Sequence, residues 1–420
     1  MREATAFVLT HEPDPDRAAS DSAHSLIALS ITRSLGRRGV KVVRVHPNTA
    51  DTSLYSKYVH SIEICPNQYV SEQALTDFLA ELSTKYPGDR VLIPASDDCS
   101  QYMADNIERL SEHYKLLNPD RQSMDKIRDK FLQYELARSV DVPIPETYFP
   151  ESLSEAEALA PELKNFPYVI KPLVAQTWRR AEYQAVSKDK KAFTVTTPAE
   201  FLREYRRIAA MDKRLMVQEV IGGDDTNLVT VIGHCGSNGE LMAYCARSKL
   251  RQYPIDYGYC TATVSCHNTV VEEQAKRLVQ AADYFGIVGI EFKYDGRTGL
   301  YKLIEINTRP VNTTGISSGC GVDLPYIGYC DALGIPPPEF KGWEDGVVWV
   351  RLKQDFVAAR ELRKLGKLSY WEWLMSLRGK RVHGTLAWDD LRPFYLHYRN
   401  YLARKLHKYL DFAQPGRRVL

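Results

Sequence analysis

Short apolar runs alternate with helix-spaced apolar positions through the first 120 residues of the chain. Residues 6–9 form an apolar run, and residues 25–35 carry apolar side chains at helical spacing before the stop signal of Gly39. Residues 40–45 and 91–94 are further strand-like runs. Strands that alternate with helices predict a parallel, doubly wound sheet, in which ligands collect at the carboxyl ends of the strands.

Three polar residues follow the last of these runs. Ser96, Asp97 and Asp98 lie at the carboxyl end of the strand predicted at 91–94. They predict a helix N-cap, and contact with a small-molecule substrate is the alternative.

A β-hairpin is predicted near residue 300. Residues 289–295 and 300–307 are strand-like and flank Gly-Arg-Thr-Gly at 296–299, which is a turn signal. With Glu291 opposite Glu305, the alternation of strand side chains gives the odd-numbered positions one face in common. That face holds Glu291, Glu305, Asn307 and Arg309. The other face is mainly apolar, with Lys302 as the exception, and holds Ile290, Phe292, Tyr294, Leu300, Ile304 and Ile306.

The opposed carboxylates suggest a cation site. Two such groups repel each other unless a positive charge lies between them. Mg²⁺ takes oxygen ligands, commonly one or two carboxylates with phosphate oxygens, and Asn307 adds a neutral oxygen. The alternative is the solvent-facing side of an ordinary hairpin, where Glu and Lys are common. The spacing by itself leaves both interpretations open.

Composition indicates a globular protein of two or three domains. The chain has 420 residues, of which 44% are hydrophobic and 26% charged. The net charge of +2 argues against a dedicated nucleic-acid binder, because no overall positive excess is present. The charge is uneven, since residues 341–420 hold 17 Lys/Arg against 8 Asp/Glu.

The eight cysteines include no CxxC pair and no zinc-ligand spacing with histidine. No secretory segment and no run of about 18 apolar residues is found. We therefore expect reduced cysteines, mostly in the core of a cytoplasmic protein, and none acting as a nucleophile.

Several motifs together resemble one enzyme family. Residues 304–309 (Ile-Glu-Ile-Asn-Thr-Arg), preceded by 289–293 (Gly-Ile-Glu-Phe-Lys), resemble the metal-binding end of ATP-grasp enzymes. More narrowly, they are similar to carboxylate–amine ligases that include the D-aspartate ligases of cell-wall synthesis. Further motifs match in the same order over roughly residues 1–335, at 34–39, 168–172, 217–222, 249–253 and 320–325.

The resemblance implies an α/β protein with three parts. Residues 1–120 would form a Rossmann-like pre-ATP-grasp domain and residues 121–335 an ATP-grasp domain of two α+β subdomains. Residues 336–420 would form a basic, mainly helical C-terminal extension. The implied activity is ATP-dependent amide or peptide bond formation through an acyl phosphate. The cofactors would be ATP and Mg²⁺, with Mn²⁺ as the alternative ion. The partners would be a small carboxylate and an amine, with an amino acid favoured.

The resemblance also assigns roles to residues. Lys130 and Lys171 would contact the nucleotide phosphates. The rest of the nucleotide would meet Gln218, Glu219, Val220, Ile221 and Asp225, with Asp224 as the alternative to Asp225 at the ribose. Mg²⁺ would be held by Glu291, Glu305 and Asn307. The catalytic side chains would be Arg309, Arg251 and Lys171, which neutralise the transferring phosphoryl group or bind the substrate carboxylate.

Each assignment has an ordinary alternative. Lys130 lies in a charged helical stretch and can be a solvated residue. Lys171 can be a surface residue at the end of a strand, and Arg251 can face solvent. Glu219 lies inside an apolar run, where a carboxylate needs a partner.

Two departures from the family pattern favour a second hypothesis, a non-catalytic nucleotide-binding or membrane-associated scaffold. Many relatives have Asn-Pro-Arg where this chain has Asn307-Thr308-Arg309. Residues 173–183 contain no glycine for a phosphate flap, but they contain Trp178, Arg179 and Arg180, which could cover the phosphates instead.

The C-terminal segment predicts a basic amphipathic helix. Residues 391–410 carry an apolar and aromatic stripe with Arg and Lys elsewhere. Packing of the stripe on the protein body is the commoner outcome, and peripheral contact with an anionic membrane is the alternative.

Overall fold

The computed structural model describes residues 3–11, 22–174, 177–179, 183, 190, 192–255 and 258–413, and leaves out the side chains of Arg179, Arg404 and residues 406–413. Within these residues, five strands of the N-terminal part form a parallel sheet in the order β3-β2-β1-β4-β5. Its elements are β1 (Ala4–Leu9), α1 (Ala23–Arg37), β2 (Lys41–His46), a 3₁₀ turn (Thr52–Tyr55), β3 (Ser61–Ile64), α2 (Glu72–Thr84), β4 (Asp89–Pro94), α3 (Asp97–Asp105), α4 (Ile107–Ser111) and β5 (Lys115–Leu116).

The N-terminal sheet is buried on both faces. Alternate residues of β1 enter different clusters, with Phe7 and Leu9 on one side and Ala6 and Val8 on the other. A parallel sheet covered on both faces explains the continuous apolar runs of its strands. The doubly wound arrangement predicted from the sequence is confirmed, and Ser96 caps α3 by accepting from Cys99 N at 3.1 Å.

A small α+β unit follows. Four strands of this part form an antiparallel sheet in the order β6-β9-β7-β8, as far as the described residues extend. Its elements are α5 (Arg121–Arg128), α6 (Lys130–Ser139), β6 (Thr147–Tyr148), α7 (Leu153–Leu159), β7 (Tyr168–Pro172), a 3₁₀ turn (Thr177–Arg179), β8 (Phe193–Val195), α8 (Pro198–Ala209) and β9 (Leu215–Glu219).

Trp178 belongs to the core of this small unit. It is 4% exposed and its Nε1 donates to Asp212 Oδ2 at 2.8 Å. The hypothesis that Trp178 covers the phosphates is therefore wrong, because the indole is packed and hydrogen-bonded inside the unit. Arg180 and the side chain of Arg179, named with it, lie outside the described residues.

The largest sheet carries the predicted hairpin. In the part of the chain that the structure describes, seven strands have the order β14-β13-β10-β11-β12-β15-β16. The elements are a 3₁₀ turn (Asp225–Asn227), β10 (Leu228–Cys235), β11 (Leu241–Tyr253), β12 (Tyr259–Cys266), α9 (Thr269–Ala282), β13 (Gly286–Asp295), β14 (Leu300–Asn307), α10 (Gly315–Gly319), α11 (Leu324–Ala332), β15 (Val348–Val350), α12 (Leu352–Lys364), α13 (Tyr370–Met375), β16 (Arg381–His383) and α14 (Arg392–Ala413).

The C-terminal extension is part of the body rather than a separate helical appendage. Besides α12, α13 and α14, it contributes β15 and β16 to the largest sheet, and β15 pairs with β12. The loop before α14 is fixed to the N-terminal part, where Arg33 Nε lies 2.9 Å from Asp390 Oδ2 in a buried ion pair. The extension therefore contacts both the largest sheet and the N-terminal domain.

The amphipathic helix is only partly packed. His397 of α14 is buried, and Lys353 Nζ lies 3.6 Å from the centre of the Tyr401 ring. Leu391 just before the helix, and Tyr395 and Leu402 on it, are exposed. Among the described helices, none is both long enough and apolar enough to cross a membrane.

Candidate active site

A cleft of about 1780 Å³ lies between the small unit and the largest sheet. Its walls include β7 and β9 of the small unit and β11, β13 and β14 of the sheet. All the residues assigned by the resemblance line it: Lys130, Lys171, Gln218, Glu219, Val220, Ile221, Asp225, Arg251, Glu291, Glu305, Asn307 and Arg309. The fold thus brings together side chains that are up to 179 positions apart in the chain.

The hairpin pairs as the sequence predicts. Glu291 is the register partner of Glu305, and Gly289 is the partner of Asn307. The predicted apolar face is wrong for the first part of β14, because a bulge follows Glu291 and places Phe292 opposite Leu303, with Lys302 and Leu300 opposite Lys293 and Asp295. An extra residue in one strand shifts the alternation by one position. Leu303 is therefore fully buried, whereas Ile304 faces the cleft.

Each of the two carboxylates has a lysine close by. Lys249 Nζ lies 3.2 Å from Glu291 Oε2, and Lys130 Nζ lies 3.7 Å from Glu305 Oε1. Burial raises the pKa of the Glu291 carboxyl, but Lys249 and Arg247 outweigh burial and bring that pKa below its ordinary value. Glu291 is therefore ionised at neutral pH.

The oxygen atoms of these side chains fit a cation that also keeps water or phosphate oxygens as ligands. Among the described residues, no group of three or more His, Cys, Asp and Glu side chains could enclose a metal ion. Glu291 and Glu305 supply two carboxylates, and Asn307 Nδ2 donates to Gly289 O at 3.4 Å, which leaves its Oδ1 for a cation. This set matches the preference of Mg²⁺ for one or two carboxylates together with water and phosphate oxygens.

The ammonium groups of two lysines place positive charge beside Glu305. Lys171 Nζ donates to Gln218 Oε1 at 3.3 Å, and Lys130 Nζ donates to Gln133 Oε1 at 3.1 Å. Burial, together with the charge of Lys130, lowers the pKa of Lys171 to about 8. An anion placed between the two ammonium groups would remove their mutual repulsion.

Glu219 has the partners that its place in an apolar strand requires. Its carboxylate lies 2.7 Å from Lys302 Nζ and 2.6 Å from Arg297 Nη2, and it also accepts from Glu146 N. Lys302, predicted as the exception on the apolar face, lies instead on the face of Asp295, because the bulge makes Lys293 its register partner; its Nζ is 2.9 Å from Asp295 Oδ2. Both oxygens of Glu219 are therefore engaged, and the backbone N–H groups of Glu219 and Val220 donate to Glu146 O and Pro167 O, both at 2.9 Å.

Arg309 connects the hairpin with the N-terminal sheet. Its Nη2 donates to Asp97 Oδ2 at 2.8 Å, and its Nε lies 2.8 Å from Asp97 Oδ1. Asp97 also lines the cleft. Its position after β4, at the carboxyl end of a parallel strand, is the sequence signal that points to this place.

Arg251 has contacts that its assigned role did not include. It is 3% exposed, and Asp355 of α12 accepts from its Nε and Nη2, both at 2.8 Å. Ser376 Oγ accepts from Nη1 at 2.8 Å. A catalytic role for Arg251 stays a prediction. In the structure its guanidinium donates to Asp355 and Ser376, which both belong to the C-terminal extension.

Arg247, Lys249 and Asp97 are cleft residues outside the assigned set. Arg247 and Lys249 are two positions apart on β11, which is the spacing of one strand face. Alternating basic residues also occur on solvent-facing strands. The spacing alone therefore does not show whether Arg247 and Lys249 line a cleft or face solvent.

Comparison with known structures identifies the architecture. A biotin carboxylase from Campylobacter jejuni, solved as a β-γ-ATP complex, superimposes with a TM-score of 0.62 at 16% identity. The match covers 83% of this chain and 74% of that chain. A family model described as "ATP-grasp in the biosynthetic pathway with Ter operon" matches residues 212–354. The chain has the ATP-grasp fold.

Two further proteins are similar to this chain. The D-aspartate ligase of Enterococcus faecium (strain Aus0004) is 25% identical over 265 residues. That match covers 61% of this chain and 62% of the ligase. The biotin carboxylase domain of the Hydrogenobacter thermophilus 2-oxoglutarate carboxylase, solved with MgADP and bicarbonate, matches with a TM-score of 0.57 at 15% identity. That match covers 81% of this chain and 71% of the biotin carboxylase domain.

The ATP-grasp family model crosses an expected boundary. The matched segment 212–354 starts before β9, includes the whole hairpin, and ends after β15. The expected division at residue 335 therefore falls inside a continuous match. The structure gives the reason, since β15 pairs with β12 in the largest sheet.

Proposed function

We propose that the protein is an ATP-dependent carboxylate–amine ligase that works through an acyl phosphate and releases ADP and phosphate. The observation that carries the proposal is the opposed pair Glu291 and Glu305 in the wall of a deep cleft, with Lys130 close to Glu305. The ATP-grasp fold and the similarity to a D-aspartate ligase support it. The proposed substrates are a small carboxylic acid and an amine, at least one of them an amino acid.

The nucleotide would lie along the small unit. Lys130 and Lys171 would contact its phosphates as mobile point charges with three donors each. The backbone of Gln218, Glu219, Val220 and Ile221 would meet the base, and Asp225 the ribose. Asp225 Oδ1 accepts from Gln252 Nε2 at 2.7 Å, which orients that carboxylate beside the cleft.

Glu291, Glu305 and Asn307 would hold Mg²⁺, with Mn²⁺ as the alternative ion. When bound there, the cation would neutralise phosphate oxygens as a Lewis acid. Arg309 would add a fixed positive charge near the same edge, because its Nη2 donates to Asp97 Oδ2 at 2.8 Å and its Nη1 donates to Pro310 O at 3.0 Å.

The chemistry would proceed in two displacements. A carboxylate oxygen of the acid forms a bond to the γ-phosphorus while the bond to the β,γ-bridging oxygen breaks, and ADP leaves. The amine nitrogen then attacks the acyl carbon, phosphate leaves, and the nitrogen gives its proton to solvent. The lysines and Arg309 would bring the two anions of the first step together.

No covalent enzyme intermediate is part of the proposal. All eight cysteines are free, and seven of them are buried. Burial raises the pKa of Cys65 to about 12 and that of Cys266 to about 11. These two thiols are therefore poor sources of the thiolate that a nucleophilic mechanism needs. The hydrogen bond with Cys245 lowers the pKa of Cys320, but that thiol is buried and does not line the cleft.

The proposed organisation follows the three expected parts, with residues 336–420 integrated into the body. The proposed location is cytoplasmic. The alternative, peripheral membrane contact, would use the exposed Leu391, Tyr395 and Leu402. Flotation with vesicles that contain anionic lipid, in wild type and in a variant with Ser at these three positions, tests that contact.

Hydroxylamine trapping tests the proposed function directly. The protein is supplied with MgATP, hydroxylamine and each of a panel of amino acids and small carboxylic acids. An acyl phosphate intermediate gives a hydroxamate together with ADP. The non-catalytic scaffold hypothesis instead expects nucleotide binding with neither product for any acid of the panel.

A further inference from the structure

Large apolar side chains are exposed close together in the C-terminal extension. Six of the twenty large hydrophobic side chains that are exposed in the described part of the chain fall within residues 352–374. They belong to α12, to α13 and to the turn that joins these helices, and Trp371 is 68% exposed. Clustered exposed apolar side chains mark interaction sites. We call this surface the α12–α13 face, and its residues are Leu352, Phe356, Leu365, Tyr370, Trp371 and Leu374.

Ring contacts hold the two helices of this face together. The rings of Phe356 and Tyr370 are stacked with their centres 6.0 Å apart, and Phe356 meets Trp373 edge-on at 5.5 Å. Trp373 Nε1 donates to the buried Asp355 carboxylate at 2.8 Å, and a capping box fixes the start of α13. The exposed side chains therefore project from two helices that are fixed to the protein body.

Positive charge accompanies the apolar side chains. The guanidinium carbon of Arg363 lies 4.7 Å from the centre of the Tyr370 ring. Lys367 precedes α13 and Arg378 follows it, and both are exposed. In the part of the chain that the structure describes, none of these three cations has a carboxylate within 4 Å. The α12–α13 face thus joins apolar surface to uncompensated positive charge.

The turn between α12 and α13 also reaches the cleft. Leu362, Lys367 and Leu368 line the cleft, whereas Leu365 of the same turn belongs to the α12–α13 face. Because Lys367 both lines the cleft and is exposed, it lies where the cleft opens to solvent. The α12–α13 face is therefore next to the opening of the cleft.

We propose that the α12–α13 face binds an anionic membrane surface and holds the opening of the cleft beside the lipid headgroups. Trp and Tyr rings are favoured at the level of the headgroups, and Leu365 and Leu374 enter the boundary with the acyl chains. Arg363, Lys367 and Arg378 attract the anionic headgroups. The position of the cleft rests on the proposed ligase function, whereas membrane binding itself does not depend on it.

Two features favour a membrane over a protein partner. The six side chains project from two helices and a turn, and none of them lines the cleft. A protein interface needs a core of matching shape, whereas the lipid–water boundary accepts projecting side chains. A symmetric contact with a second copy would bring the same uncompensated cations towards each other, and like charges repel.

Vesicle flotation tests the proposal without any need for turnover. The protein is mixed with vesicles of phosphatidylcholine, with and without phosphatidylserine. Wild type should float with the phosphatidylserine vesicles. Trp371→Ser with Leu374→Ser should lower the partition coefficient at least about tenfold, and so should Arg363→Gln with Arg378→Gln. An unchanged unfolding midpoint shows that each variant is folded, and where the apolar variant does not fold, the charge variant makes the comparison.

A matched control removes two exposed apolar side chains elsewhere. Val70→Ser with Val270→Ser should bind the vesicles as wild type does, because both residues lie outside the α12–α13 face. Brominated lipid gives a second readout, since it quenches the emission of tryptophan that enters the bilayer boundary. Quenching should be strong in wild type and weaker in Trp371→Phe.

Four outcomes overturn the proposal. The first is wild type that does not float, and the second is wild type that floats equally with and without phosphatidylserine. The third is loss of flotation on substitution of Leu391, Tyr395 and Leu402 by Ser while the Trp371 and Leu374 variant floats as wild type, which assigns the contact to α14. The fourth is a stable dimer that the variant disrupts, which assigns the face to a second copy. A protein that floats as expected but forms no acyl phosphate contradicts the ligase function alone.

Discussion

Arg251 and Asp355 form a two-point ion pair, with Nε to Oδ1 and Nη2 to Oδ2 both at 2.8 Å. Trp373 Nε1 and Thr261 Oγ1 also donate to the same carboxylate, so Asp355 has partners from β11, β12 and α13. The carboxylate is fully buried. It therefore fixes the C-terminal extension to the strand that carries the cations of the cleft.

Asp355→Asn should destabilise the protein, because it leaves the Arg251 guanidinium buried without a counter-charge. Removing one partner of a buried pair costs about 3–5 kcal/mol of the free energy of unfolding. Denaturant unfolding measures this loss. The double variant Arg251→Met, Asp355→Leu is the matched control and should recover much of it. Equal stability of Asp355→Asn and wild type would show that the pair contributes nothing.

Nucleotide affinity should fall as the pH rises through the pKa of Lys171, which is about 8. The ammonium form binds phosphate, and bound phosphate in turn raises the pKa of the lysine, so binding takes up a proton above pH 8. The dissociation constant for MgADP should rise about tenfold between about pH 7.5 and about pH 9.

Lys171→Arg provides the control for this pH dependence, because a guanidinium stays charged over the whole range. Calorimetric titration of wild type and variant at the two pH values makes the comparison. A wild-type affinity that is flat with pH, or a variant as pH-dependent as wild type, would exclude Lys171 as the titrating group.

Lys302→Met should lower the stability at neutral pH by roughly 2–4 kcal/mol, because Glu219 and Asp295 lose a buried ammonium partner. Burial opposes ionisation of both carboxyls, yet their hydrogen bonds to Lys302 and Arg297 bring each pKa below its ordinary value. A depressed carboxyl pKa gives stability that is present above the unfolded pKa and lost as the pH falls through the folded one.

The difference between wild type and Lys302→Met should therefore shrink as the pH falls below about 4. Denaturant unfolding of both proteins along a pH series measures it. Lys276→Met is the control, since Lys276 on α9 forms an exposed ion pair with Glu273 and lies over the Tyr244 ring, without a buried carboxylate partner among the described residues. A constant difference down to acid pH would contradict the electrostatic account.

Local sequence patterns predict the strands and the pairing of the hairpin. Features that depend on residues far away in the chain are not predicted by these patterns. The pairing of Glu291 with Glu305 follows from alternation around one turn. The bulge does not, because it depends on contacts outside the hairpin: Leu303 N donates to Pro143 O, and Tyr134 Oη donates to Ile304 O. A bulge set by tertiary hydrogen bonds leaves no signal in the strand itself.

The partners of the site residues show the same limit. The sequence indicates that Glu219 needs a partner, but Lys302 lies 83 positions further along the chain. Asp355 is 104 positions from Arg251 and belongs to a helix that resembles an ordinary surface helix in its pattern. Short strands of the extension, such as β15, become strands because β12 offers an edge with which to pair.

The central claim is that Glu291 and Glu305 hold Mg²⁺ against the phosphates of ATP. The most direct measurement is MgATP-dependent ADP release by Glu305→Gln compared with wild type, at a series of Mg²⁺ concentrations. The account predicts at least about a 100-fold loss of rate and a weaker Mg²⁺ dependence, with an unchanged unfolding midpoint. Undiminished ADP release by a folded Glu305→Gln protein at low Mg²⁺ would contradict the claim.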